Sequence, residues 1–200
     1  MQPFRIRPFG PKVFRPLQRW AREQRGVSAV EFAIIAPLLI FIYLSCVEVT
    51  LMMRADRRVT ATASTLGDLT ARLGSVTNDD LTELYDAAVI MMQPYAASQT
   101  RMRITSVVDD GNGEKRVGWS EGHNMVARTP GALIDVPDGI VQQPGSVILT
   151  EVEFYYSSNI GFFLKSDVKL SDRFYLRPRR VQKIERIAGP SGSVPFGPGS

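Results

Sequence analysis

Hydrophobic and polar positions change their period along this chain, and each change predicts an element. Residues 32–47 carry no charge, and the longer segment 27–53 holds only Glu31 and Glu48. At about 1.5 Å per residue, a helix over 27–53 would be about 40 Å long, enough to cross a bilayer with some tilt. The pattern then becomes amphipathic. Val59, Ala63, Leu66, Leu69 and Leu73 recur at helical spacing, with Arg57, Arg58, Thr62, Asp68 and Arg72 between them. One helix is expected from Val27 to about Leu73, weakened at Gly67 and stopped at Gly74. Its apolar stripe can seat the protein's own sheet or form a seam between subunits, and the first use is favoured. Pro37 removes one amide donor from the helix ladder, which predicts either a packing kink or a flexible point.

A second helix is expected over 79–92, capped by Asn78, with Asp79, Asp80 and Glu83 in its first turn and Leu81, Leu84, Tyr85, Ala88 and Met92 on its apolar face. Pro94 ends it. From Arg101 the period becomes two. Met102, Ile104, Ser106 and Val108 alternate with Arg103, Thr105 and Val107, and a turn over 109–113 leads to Arg116, Val117, Gly118 and Trp119, which predicts a hairpin. Residues 121–143 are richer in Gly and Pro and are expected to loop across the domain. Residues 147–156 form the strongest strand, with 173–180 its antiparallel neighbour and Pro178 at an edge or at the strand's end. Phe162, Phe163 and Leu164 either pack onto the sheet or meet a membrane surface. The Gly, Pro and Ser of 189–200 predict a mobile tail. The fold class is α+β: a long N-terminal helix packed on a small antiparallel sheet.

Charge changes the picture. The chain is formally +4, but residues 1–26 hold seven basic side chains against Glu23, so Val27 onward is mildly acidic. With Pro3, Pro8, Pro11 and Pro16 among the arginines, 1–26 reads as an unstructured basic leader. Basic residues ahead of a membrane segment hold that end in the cytoplasm. This organisation predicts a leader over 1–26, a membrane helix over 27–53, an exported domain over 54–188 and the tail. The basic pI of about 9.4 then gives no support for nucleic-acid binding. Cys46 is the single cysteine, so the exported domain must be stable without an internal disulfide. Leu44, Ser45 and Cys46 faintly resemble a lipoprotein signal, but Tyr43 stands where a small aliphatic residue is wanted, which favours a buried thiol.

Candidate chemistry is sparse. His123 is the only histidine, and Cys46 lies in the apolar run, so metal sites and Cys/His catalysis lack parts. The pairs Asp79-Asp80 and Asp109-Asp110 are explained by a helix start and a turn. Arg173, Arg177, Arg179, Arg180, Lys183 and Arg186 form a basic strip, read as a solvated edge, with acidic lipid or a partner as the alternative. No enzyme activity, metal or cofactor is expected. Glu31 is the exception to blandness: a carboxylate in an apolar helix costs on the order of 2–3 kcal/mol near the bilayer centre, which implies a partner.

Arg25-Gly26, then Val27 to Ala33 with Glu31 and Phe32, then Ala36-Pro37, resemble the TadE-like pseudopilins of tight-adherence (Tad) pilus systems, relatives of type IV prepilins. Asp56 to Val59, Ser64 to Leu69, Leu170 to Asp172 and Phe174 to Arg180 continue the resemblance. Phe32 departs from it, because tyrosine more often follows the glutamate in the family's motif. The resemblance implies a pilin-like fold and a minor pseudopilin of the bacterial inner membrane, needed for pilus assembly and surface adherence. It implies cutting between Gly26 and Val27 by a prepilin peptidase on the cytoplasmic side. Glu31, four residues from the new amine, could pair with it or with a neighbouring subunit's amine; the bland alternative is a carboxylate snorkelling to the interface. Implied partners are the peptidase, other pilins and pseudopilins, the Tad assembly platform and inner-membrane lipid. The second functional reading is an unprocessed single-span anchor carrying a periplasmic scaffold or binding domain.

Overall fold

The computed structural model describes residues 25–109, 111, 113–141, 145–158, 161 and 166–187. The leader before Arg25, the 162–164 segment and the 189–200 tail lie outside them. The chain divides into two compact units between Cys46 and Val47. Helix α1, Arg25–Ala71, contributes to both and runs without a break through Pro37 and Gly67.

In the second unit, β1 (Ser75–Val76) leads into α2 (Asn78–Met92), followed by β2 (Thr100–Asp109), β3 (Lys115–His123), β4 (Gly145–Tyr156), β5 (Val168–Leu176) and β6 (Glu185–Arg186). Strands β3-β2-β4-β5 form an antiparallel sheet in that order, and β1 pairs in parallel with β6. The class is the expected α+β. Strand parity explains the layers. Met102 and Ile104 of β2 and Ile148, Val152 and Phe154 of β4 share a core with Ala55, Val59, Ala63 and Leu66 of α1 and Leu81, Leu84, Tyr85 and Ala88 of α2. The alternate residues Val107, Val147 and Leu149 form a second core with Val136 and Val141. The Gly/Pro-rich segment therefore does cross the domain, and it covers the sheet's other face. That is why β4 is buried almost continuously along its length.

Four local expectations need correction. Thr77, not Asn78, caps α2: its hydroxyl accepts the Asp80 amide at 3.2 Å while the Asp80 carboxylate accepts the Thr77 amide at 2.8 Å. This reciprocal pair satisfies two donors at the helix start. Leu69 is 37 % exposed, whereas Gly67 and Thr70 are buried; a 3.6-residue turn carried on from Ala63 and Leu66 reaches Thr70. The neighbour of β4 starts at Val168 rather than Arg173, because pairing continues down β4 to Tyr156↔Val168. It ends at Leu176, so Pro178 lies beyond the strand. Gly67 does not weaken α1 but lets it approach the sheet: a Cβ there would lie 2.4 Å from Leu176 Cδ1 and 2.9 Å from Thr150 Oγ1. Thr150 uses this proximity to donate to the Ala63 carbonyl at 2.9 Å.

Candidate functional site

The start of α1 is built unlike the rest of the helix. Gly26, Val27, Glu31, Phe32 and Pro37 are all exposed. A Cβ at Gly26 would meet nothing within 4 Å, so packing in the folded chain does not demand glycine there. The side chain of Glu31 leaves the helix on the face that Val27 occupies, one turn away.

The apolar surface that follows is uncovered. Val30, Phe32, Ile34, Leu38, Ile40 and Tyr43 are each at least 58 % exposed. An 18-residue window has a mean hydropathy of 2.3, with none of it buried. So much contiguous apolar surface requires an apolar medium or partner. By length and composition this helix is a candidate to cross a membrane once.

From Val47 the same helix changes partners. Glu48, inside the segment read as one membrane span, is fully buried in the second unit, where its carboxylate accepts from the Ser158 hydroxyl. Tyr156 is close by, and its hydroxyl's pKa is raised by burial first and then by Tyr95 and Glu48. Sequence periodicity could not separate this buried acid from a membrane one, because both sit in an apolar run.

The remaining charged groups of the domain are largely absorbed in structure. Glu151 takes Arg103 at 2.8 Å and Arg128 through both carboxylate oxygens, and Arg128 also donates to Thr105 at 3.1 Å. Burial pushes the Glu151 pKa up, but hydrogen bonds from the two guanidiniums outweigh it and bring the carboxyl down to about 2. Arg186 reaches Glu121 at 2.9 Å, Asn78 and the Val76 carbonyl, tying β6 to α2 and β3. His123 packs at 5.3 Å from the Tyr85 ring, with its pKa lowered by burial. Asp109 accepts the Gly111 amide at 2.9 Å, the turn role its sequence suggested. Among the described residues no three His, Cys, Asp or Glu side chains gather as metal ligands. The basic strip is divided: Arg179 pairs with Asp68 and Arg186 is drawn into the fold. Arg128 and Arg186 were not legible as structural residues, since their partners lie 23 and 65 residues away along the chain.

Residues 26–66 match the family model described as TadE-like protein. The match begins at Gly26 and lies wholly within α1. Neither the curated proteins nor the solved structures give a significant match to the chain. The TadE-like segment suggests involvement in Tad pilus systems, and the uncovered helix suggests a single-pass membrane anchor.

Proposed function

We propose that this chain is a minor pseudopilin of a Tad-type pilus system, held N-in and C-out in the bacterial inner membrane, trimmed after Gly26 and required for pilus assembly and surface adherence. The observation that carries this reading is a coincidence of positions. The TadE-like match starts at a glycine that packing does not require, five residues ahead of an acid and at the head of an uncovered apolar helix. A glycine that nothing in the fold needs is one that an outside agent can need: without Cβ it adopts the extended or left-handed backbone that a tight peptidase cleft demands.

Hydrolysis of the Gly26–Val27 bond by the prepilin peptidase adds one water, leaving a carboxylate on the leader and an ammonium on Val27. Glu31 stands one helical turn away to neutralise that ammonium, in its own chain or in a neighbour. Pairing offsets the cost of keeping either charge in an apolar surrounding. The trimmed helix can then leave lipid for a bundle of like helices on the assembly platform. No reaction is assigned to the protein itself; it is the peptidase's substrate and is assembled with, or primes, the fibre.

Gly26→Arg tests the reading in the native host. The full-length form should accumulate in membranes while the exported domain stays folded, and pili should be lost. Normal trimming of this variant would remove the proposal and favour a permanently anchored scaffold.

A further inference from the structure

The segment after β5 and the exposed face of α2 carry opposite charges that they do not spend on each other. Ser146, Arg177, Pro178, Arg179, Arg180 and Val181 line a cavity of about 380 Å³. It lies where α1 ends, since the Arg179 amide donates to the Ala71 carbonyl at 2.8 Å. Asp68 is shared between Arg179 and Arg72, so one carboxylate answers two guanidiniums. Among the described residues Arg177 reaches only the Ile140 carbonyl, at 3.4 Å. Arg180 and Lys183 are exposed and enter no ion pair among the described residues.

On α2, Asp79, Glu83 and Asp86 stand at i, i+4 and i+7, all exposed and outside every ion pair among the described residues. They share one face, and Ile90, one turn on, is 63 % exposed on the same face. The helix dipole accounts for Asp79 but not for Glu83 or Asp86: Glu83, expected in the first turn, lies beyond it. Helix α2 starts beside the end of α1 and runs back along it, so that the Met91 carbonyl accepts from Arg58 at 2.9 Å. The acidic face therefore descends the flank of the domain for about 16 Å from the pole that carries the basic cavity.

The geometry points to the basic cavity as the docking site for the acidic α2 face of a second copy of this chain. Arg177, Arg180 and Lys183 meet Asp79, Glu83 and Asp86, and Pro178 and Val181 meet Ile90. The contact is heterologous: each copy offers one pole and one flank, so it extends into a row or closes a ring instead of stopping at a dimer. Three helical turns bury well below the roughly 1,600 Å² of a standard stable complex, so the contact holds only where copies are concentrated, as in one membrane. It deepens the pseudopilin reading, on which it rests for bringing copies into one assembly.

The test uses the full chain in its host membranes, with Cys46→Ser and paired Thr82→Cys and Val181→Cys. A short bis-maleimide should give a ladder of dimers, trimers and higher species, whereas Thr82→Cys with Glu114→Cys should give none. Reversing Arg180 and Lys183 to Glu should lower the yield about tenfold, and adding Glu83→Lys and Asp86→Lys to the same chain should restore it. No ladder, a product that stops at dimer, or a loss that the second reversal does not repair would overturn the docking. The N-terminal mass read from the same samples separates the two ideas. A wild-type chain that begins before Val27 counts against the pseudopilin reading alone, and an absent ladder with normal trimming counts against the docking alone.

Discussion

The two halves of α1 have the same secondary structure and opposite relations to their surroundings. Up to Cys46 the helix displays its apolar side chains on every side, and Phe32 and Ile34 are 68 % and 72 % exposed. From Arg54 the buried apolar positions narrow to one stripe, and Ala55, Val59 and Ala63 are fully buried in the core shared with the sheet. The two glycines make the same contrast: side-chain space is open at Gly26 and absent at Gly67. So do the two acids, with Glu31 exposed and Glu48 fully buried on Ser158. Helix propensity is similar throughout; what differs is the surface that each stretch is made to meet. Substitutions in α1 before Cys46 should therefore alter processing and assembly without altering the stability of the domain, and substitutions in the buried stripe of α1 after it should do the reverse.

The sharpest break in that contrast is Glu31→Ala. The chain should insert and fold with an unchanged thermal midpoint, yet fail to enter pili; normal piliation would reduce Glu31 to an interfacial side chain. In the domain, Glu151→Ala strands two half-buried guanidiniums and should destabilise it by about 3 kcal/mol in urea titration, with trimming at Gly26 unaffected. The same carboxyl sets a pH dependence. Its pKa falls from 4.5 in the unfolded chain to about 2 in the fold, so its contribution is complete above about pH 4.5 and is lost as the pH falls towards 2. Wild-type stability should drop over that window by on the order of 2–3 kcal/mol more than that of Glu151→Gln. Gly67→Val forces branched methyls towards Thr150 and Leu176 and should cost about 2 kcal/mol. Thr77→Ala removes the cap hydroxyl and should cost about 1 kcal/mol.

Much of the architecture could be read from periodicity, because burial on one side leaves a regular trace. The amphipathic part of the long helix and the second helix with its apolar face each have one, whereas the 147–156 strand, buried on both faces, shows as a run of β-branched and aromatic residues. Contacts between elements leave no such trace. Gly67 looks like a weak helix position until Leu176 is seen against it, and Leu69 looks like a stripe residue until the turn is counted on to Thr70. The start of β5 was set by a partner strand, which a single segment does not record. At the candidate site the apolar run was legible because its signal lies along one helix, and the roles given to Gly26 and Glu31 stand as proposals. The roles of Glu48, Arg128 and Arg186 were not legible, because each depends on a residue far along the chain.

The account turns on where the mature chain begins. Intact-mass and N-terminal sequence determination on protein extracted from piliated native membranes measures this directly. The account predicts a first residue of Val27, with the leader gone. A chain that still carries residues ahead of Val27 while pili are present would contradict it.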